Sequence, residues 1–159
     1  MSESLNELKG KGGWLVLVGF GVVISPFRPM LEVDSISQFI LTDPMWELLT
    51  SPETDFYRAY WAPGILGYGV INLGLAIASS FLIYLYFAQK KLFPQLFIAI
   101  LVFSLVCKSF VAWATTFGFP DQPMFDSVSA RNLGITLLLA LIWIPYMRVS
   151  RRVRATFVK

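Results

Sequence analysis

Residues 94–118 read PQLFIAILVFSLVCKSFVAWATTFG, a stretch in which Lys108 is the one charged residue. An α-helix needs about 20 apolar residues to cross a hydrocarbon core of about 30 Å. Three further stretches of similar length and character lie at 14–33, 64–88 and 131–147. The pattern therefore predicts an all-α, polytopic membrane protein: an antiparallel bundle of four transmembrane helices that takes up the whole chain as one domain.

The composition agrees with a protein whose solvent is lipid. Hydrophobic residues make up 56% of the chain, charged residues 14%, and the mean hydropathy is +0.64. A soluble domain usually has about 25% charged residues. The single domain expected over residues 1–159 is therefore a transmembrane domain with short connections.

The charged residues are divided unequally between the two sides of the predicted spans. Segments 1–13, 89–93 and 148–159 carry nine basic and two acidic residues. Segments 34–63 and 119–130 carry one basic and seven acidic residues. Because short loops rich in Lys and Arg stay in the cytoplasm, both termini are expected inside and the two acidic loops outside.

The basic segment at 148–159 is expected to act as a cytoplasmic tail. Its arginines would fix the orientation of the chain and lie against anionic lipid headgroups, at about 1 kcal/mol for each basic residue near the surface. A nucleic-acid partner is the alternative, but the chain has no aromatic-rich soluble module to accompany the charge. Membrane lipids are therefore the expected partners, and no nucleic acid is expected.

The sequence offers little for catalysis. The chain contains no His, and its one Cys, Cys107, lies in the third span, which excludes a His-dependent triad and an intramolecular disulfide. Inside the spans there is no paired carboxylate, no metal-ligand spacing and no nucleotide-binding loop. We therefore expect no enzyme activity, no cofactor and no metal.

The first outside loop, 34–63, is long enough to fold. Its two helix-start signals, TDP at 42–44 and SPE at 51–53, each place a capping side chain before a proline. They predict two short helices, Met45–Thr50 and Glu53–Trp61, which form a small cap outside the membrane. This cap either covers the bundle or serves as a docking surface for a partner.

Two prolines near the outer end of the first span, Pro26 and Pro29, each remove a backbone donor. They predict a kink or a break in that helix. Lipid cannot satisfy the freed carbonyls, so neighbouring protein groups must do so.

Polar and ionisable residues inside the spans lean toward the outer half. At about 1.5 Å of rise per residue, Lys108 lies about 15 Å and Asn72 about 12 Å from the outer ends of their helices. Such residues are costly in a membrane and mark candidate sites. They predict an outward-facing polar pocket formed by Arg28, Glu32, Asn72, Lys108, Arg131 and Asn132.

Three interpretations of this pocket remain open. The groups satisfy one another and the proline-broken backbone, with Glu32 pairing with Arg28 or Lys108. Alternatively, a net positive pocket holds an anionic headgroup or solute, or the residues form a proton or ion pathway. A pathway needs polar groups through the full depth of the membrane, and the inner half of the spans has no charged residue.

Motifs at both ends of the chain resemble a known pattern. They are KGKGGWL at 9–15 followed by Pro26, WIPY at 143–146, SRRV at 150–153 and TF at 156–157. Together they resemble the small bacterial four-span proteins grouped as the domain of unknown function 2569 family. The resemblance covers essentially the whole chain. It implies a location in the bacterial inner membrane and carries no established activity or catalytic residues.

Two functional hypotheses follow. The first is a non-enzymatic module that binds a membrane or periplasmic partner protein, or a lipid, through the outer loop and the polar pocket. The second is a transporter of a small solute or ion that uses Lys108 and Arg28.

Overall fold

The computed structural model describes residues 13–118 and 127–158, which fold into helices joined by turns. No strand occurs in these two ranges, so the all-α prediction is confirmed. The N-terminal segment, most of the second outside loop and Lys159 lie outside the described residues. In chain order the helices are α1 Trp14–Ile24, α2 Phe27–Thr42, α3 Pro44–Thr50, α4 Trp61–Phe87, α5 Phe93–Gly118, α6 Ser127–Val149 and α7 Arg151–Thr156.

Four helical stretches are long and apolar enough to cross a membrane, as the sequence predicted. They are Trp14–Thr42 (α1 with α2), Trp61–Phe87, Phe93–Ala114 and Ser129–Val149. Large apolar side chains stay exposed on all four, including Phe20, Val70, Phe110 and Leu141. Helices with apolar residues all round belong in a protein core or a membrane, and these lie at the protein surface.

The first span breaks at Ser25 and Pro26, which confirms the predicted kink. Pro26 has no N–H to donate to the carbonyl of Val22, one helical turn earlier. Ser25 replaces that bond twice: its hydroxyl donates to Val22 O at 2.8 Å and its backbone N–H donates to the same oxygen at 3.3 Å. The helix then resumes at Phe27 and continues to Thr42.

The first predicted outside loop is more helical at its start than expected. Helix α2 runs through residues 34–42, and α3 follows after a single residue, Asp43. The Asp43 side chain accepts a hydrogen bond from the Met45 N–H at 2.9 Å, with Pro44 in the first turn of the helix. The first of the two predicted short helices is therefore confirmed, together with its capping signal.

The second predicted short helix, Glu53–Trp61, is wrong, because residues 52–60 form turns. The Thr54 hydroxyl donates back to the carbonyls of Leu48 and Ser51, and the Arg58 guanidinium donates to those of Asp55 and Tyr57. These bonds offer the backbone an alternative to helix formation. We call residues 43–60, with α3 and these turns, the acidic segment.

The chain forms two compact units, which we describe separately. The central unit is Leu17–Tyr84, and the terminal unit is Met1–Val16 with Leu85–Lys159. In the terminal unit α5 packs against α6. The largest fully buried side chains of the terminal unit are Leu15, Phe93, Val153 and Thr156.

Candidate functional site

In the central unit, polar side chains from two helices meet around Tyr68. The Tyr68 hydroxyl donates to Glu32 Oε2 at 3.4 Å, and the buried Asn72 donates from Nδ2 to the Tyr68 carbonyl at 2.9 Å. Polar groups within a membrane need such partners, because the hydrocarbon offers none. We call Glu32, Tyr68 and Asn72 the carboxylate cluster.

Close packing of α2 on α4 supports this cluster. A Cβ atom added to Gly69 would lie 3.6 Å from Ile36 Cγ2, in ordinary van der Waals contact. Ile36 follows Glu32 by four residues, so the two side chains share one face of α2. Small residues such as Gly69 let membrane helices approach closely. The contact thus keeps the Glu32 carboxylate within reach of the Tyr68 hydroxyl.

Tyr68 belongs to the carboxylate cluster, and the sequence did not single it out. The sequence suggested Arg28 or Lys108 as the partner of Glu32, whereas its hydrogen-bond partner in the structure is the Tyr68 hydroxyl. A signal was present, since Tyr68 precedes Asn72 by four residues and so lies on the same face of α4. Arg28 is exposed on the first turn of α2.

In the terminal unit, Lys108 of α5 reaches α6. Its Nζ donates to Thr136 Oγ1 at 2.6 Å, and Thr136 Oγ1 donates in turn to the Asn132 backbone carbonyl at 2.8 Å. Thr136 is buried and Lys108 is half-buried. A charge-assisted hydrogen bond of this kind stabilises the ammonium away from water. We call Lys108, Asn132 and Thr136 the lysine cluster.

The predicted pocket residues thus occur in two groups. The carboxylate cluster joins Glu32 and Asn72 through Tyr68, and the lysine cluster joins Lys108 to the Asn132 backbone carbonyl through Thr136. Arg131, next to Asn132, is exposed. A single pocket formed by all six residues stays a prediction. The central unit holds Arg28, Glu32 and Asn72, and the terminal unit holds Lys108, Arg131 and Asn132.

An open groove of about 570 Å³ lies where α2 meets α3. Its polar lining includes Asp43 and Glu47, and its apolar lining includes Trp46. The Trp46 ring packs edge-on against Phe39 of α2, with ring centroids 6.3 Å apart. This contact and the Asp43 cap hold α3 in position, so the groove has one wall of fixed aromatic and acidic side chains.

An aromatic cluster forms the core of the terminal unit. The rings of Phe93 and Phe157 stack with centroids 4.4 Å apart, and Tyr86 packs against both. The buried Tyr86 hydroxyl donates to the Leu15 carbonyl at 2.8 Å. We call Leu15, Tyr86, Phe93 and Phe157 the terminal cluster; it joins the start of α1, the end of α4, the start of α5 and the residue after α7.

Helix α7 folds back onto this cluster. Ser150 is its N-cap and accepts the Val153 N–H at 3.4 Å. Val153, Thr156 and the following residue, Phe157, are buried, while Arg151 and Arg154 are exposed. The sequence predicted only a basic tail here, whereas the structure has a short, capped and docked helix.

The start of α1 lies beside α7 and α6. A Cβ atom added to Gly13 would lie 3.5 Å from Arg152 Nη1, and Gly13 has a φ of +60°, a conformation that favours glycine. The Trp14 ring packs edge-on against Trp143, with centroids 6.4 Å apart, and Trp143 packs against Tyr146 at 5.7 Å. Aromatic rings of this kind are typical of the membrane–water interface.

A chain that is helical over its described ranges, with four apolar helices of this length, is a multi-pass membrane protein. It belongs to the family described as protein of unknown function (DUF2569), whose model matches residues 8–158. The comparison with curated proteins and the comparison with solved structures each found no match.

Most of the motifs that carry the family resemblance lie together in the terminal unit, as far as the structure describes them. GWL at 13–15, WIPY at 143–146, SRRV at 150–153 and TF at 156–157 all contribute to the terminal unit through the contacts given above. Their observed contacts are packing, capping and ring contacts. Over the two described ranges, no group of three His, Cys, Asp or Glu side chains could hold a metal ion.

Proposed function

We propose that this protein is a non-enzymatic membrane module that binds a partner protein through its acidic segment. The observation that carries the proposal is that residues 43–60 are folded yet leave apolar side chains exposed. Leu48 and Phe56 are exposed beside Glu47, Glu53 and Asp55. Exposed apolar groups with a polar rim are typical of interaction surfaces.

A protein fits this segment better than a lipid headgroup does. The segment has four carboxylates, Asp43, Glu47, Glu53 and Asp55, against a single basic residue, Arg58. Anionic headgroups would be repelled by this surface, whereas a partner with basic and apolar side chains complements it. The groove beside Trp46 offers such a partner a concave contact.

The proposed location is the inner membrane of a bacterium, with both termini in the cytoplasm. The family resemblance and the charge asymmetry of the loops support this arrangement. The acidic segment then faces the periplasm, where a membrane or periplasmic protein can reach it.

A photo-crosslinking amino acid placed at Met45 or Phe56 tests the proposal in cells. The matched control is Leu138, which is exposed on α6 in the middle of a span. We expect the same discrete protein adduct from Met45 and Phe56, and lipid adducts alone from Leu138. The charge-reversing variant E47K/E53K should lower the yield of that protein adduct severalfold. Lipid adducts alone at all three positions would overturn the proposal.

A transporter that uses Lys108 and Arg28 is the alternative. The Lys108–Thr136 contact within the spans is the observation that favours it, since ionisable residues there often mark solute or ion paths. The variant K108M separates the two functions. It should leave the Met45 adduct unchanged, and it should abolish solute or ion movement in proteoliposomes if the protein transports. Wild-type proteoliposomes that move neither solute nor ion would exclude the alternative.

A further inference from the structure

The terminal unit carries a surface whose exposed charges are all basic. Lys91, Arg148, Arg151 and Arg154 are exposed, and we call these four residues the basic face. The described residues of the same unit, 13–16, 85–118 and 127–158, contain no Asp or Glu. The described residues of this unit therefore supply no carboxylate to neutralise these charges.

The docked helix α7 holds part of this surface in place. Arg151 and Arg154 are three residues apart and share one helical face, while Val153 and Thr156 on the opposite face, and Phe157 just after the helix, are buried. Arg154 also donates from Nη2 to the Arg148 carbonyl at 3.0 Å, which ties α7 to the end of α6. The backbone therefore holds Arg148, Arg151 and Arg154 in defined positions.

The fourth basic side chain is brought to the same region by the terminal cluster. Lys91 lies in the turn two residues before Phe93, and Phe93 stacks on Phe157 just after α7. The turn between α4 and α5 therefore lies beside the docked end of α7. This ring contact brings together two segments that are more than fifty residues apart in the sequence.

Neighbouring residues indicate the depth of this surface in the membrane. Gly13 lies against Arg152 of α7, and the next residue, Trp14, packs on Trp143. Tryptophans of this kind sit at the level of the lipid headgroups. Val149 and Val158, on either side of α7, are exposed apolar side chains that suit the same boundary.

We propose that the basic face binds the headgroups of anionic phospholipids. A guanidinium donates paired N–H groups that match a phosphate, and a lysine ammonium adds a point charge. Each basic residue near an anionic membrane surface contributes roughly fivefold in affinity. Helix α7 is then a lipid-binding element with defined geometry.

Native mass spectrometry of the full chain in a neutral detergent tests this proposal. The probes are phosphatidylglycerol and phosphatidylcholine with identical acyl chains. We expect wild-type protein to retain phosphatidylglycerol in preference to phosphatidylcholine. The variant R148Q/R151Q leaves the Arg154 contact intact, and should lose that preference by roughly 10- to 30-fold in affinity, as two lost charges imply.

Two controls make the result specific. The variant R148K/R151K keeps both charges and should keep the preference, within a fewfold of wild type. The variant R58Q removes a basic residue from the acidic segment and should bind phosphatidylglycerol as wild type does. If wild-type protein binds both lipids equally, or if R58Q loses as much preference as R148Q/R151Q, the proposal is wrong. Equal melting temperatures for the variants confirm that binding and not folding has changed.

The acidic-segment proposal and the basic-face proposal are separable by these experiments. The variant R148Q/R151Q should leave the Met45 protein adduct unchanged, because the two surfaces consist of different residues. A protein adduct, in place of a lipid adduct, from a crosslinker at Val158 would show that the basic face binds protein and would overturn the lipid assignment.

Discussion

Two side-chain hydroxyls in this chain donate hydrogen bonds to backbone carbonyls. The Ser25 hydroxyl donates to the Val22 carbonyl, which Pro26 leaves without its usual helical donor. The Tyr86 hydroxyl crosses from the end of α4 to the Leu15 carbonyl. In lipid an unsatisfied backbone group costs several kcal/mol, so the Ser25 hydroxyl permits the break in the first span. The Tyr86 hydroxyl ties the end of α4 to the start of α1.

The Tyr86 hydrogen bond predicts how much stability is lost when the hydroxyl oxygen is removed. The variant Y86F keeps the ring against Phe93 and Phe157 but loses the bond to Leu15, so it should be less stable by about 1 kcal/mol. Thermal unfolding in detergent measures the change. The matched control is Y84F, since Tyr84 is exposed and its ring stacks on Phe81. Equal melting temperatures for Y86F and Y84F would contradict the assigned role.

At the level of elements, α7 depends on its docking. A helix of six residues is too short to be stable alone, because helix nucleation is costly. The Ser150 cap and the burial of Val153, Thr156 and Phe157 stabilise this short helix. The basic face therefore depends on the apolar contacts of Val153 and Phe157.

Removing the Phe157 ring tests this dependence. The variant F157A should destabilise the terminal unit by about 3 to 5 kcal/mol, because the ring is buried and stacked on Phe93. Released from its contacts, α7 should be cut faster by trypsin at Arg151, Arg152 and Arg154. The control V158A truncates an exposed neighbour and should digest like wild type. Unchanged digestion of F157A would argue against the docked arrangement.

For the whole molecule, both proposals depend on the orientation of the protein in the membrane. The acidic segment requires access from the periplasm, and the basic face requires the cytoplasmic leaflet. The positive-inside rule supports both requirements through the same charge distribution.

Cysteine labelling measures this orientation directly. In a C107S background, S51C should react with a membrane-impermeant maleimide in intact cells, and V158C should react only after the membrane is opened. Ser51 lies at the end of α3 and Val158 lies after α7, so neither position is within a span. Labelling of V158C but not of S51C in intact cells would invert the proposed topology.

Much of the architecture was predictable because its signals are local in the sequence. The four spans followed from apolar length, the break from Pro26, and α3 from the Asp43-Pro44 start signal. The same kind of signal failed at Ser51-Pro52-Glu53, where Thr54 and Arg58 bond to nearby carbonyls and stabilise turns. Capping residues favour turns as well as helix starts, and the sequence alone does not show which of these two structures forms.

The sequence predicted which polar residues belong to the candidate site, but it did not predict their hydrogen-bond partners. Lys108, Glu32 and Asn72 stood out because polar residues are rare within spans. Their partners, Thr136 on α6 for Lys108 and Tyr68 on α4 for Glu32, depend on which helix faces meet. Helical periodicity places Tyr68 on the face of Asn72, but it does not choose the helix that packs there.

The sequence by itself determined the class of protein, its four spans, the asymmetry of its charges and its family. These properties add up residue by residue along the chain, so no contact is needed to derive them. Only the tertiary structure decided which distant segments meet: Tyr86 bonds to Leu15 across 71 positions, and Phe157 stacks on Phe93. Such contacts depend on how surfaces distant in the sequence pack together. This packing is the reason that the basic C-terminal segment forms a docked helix.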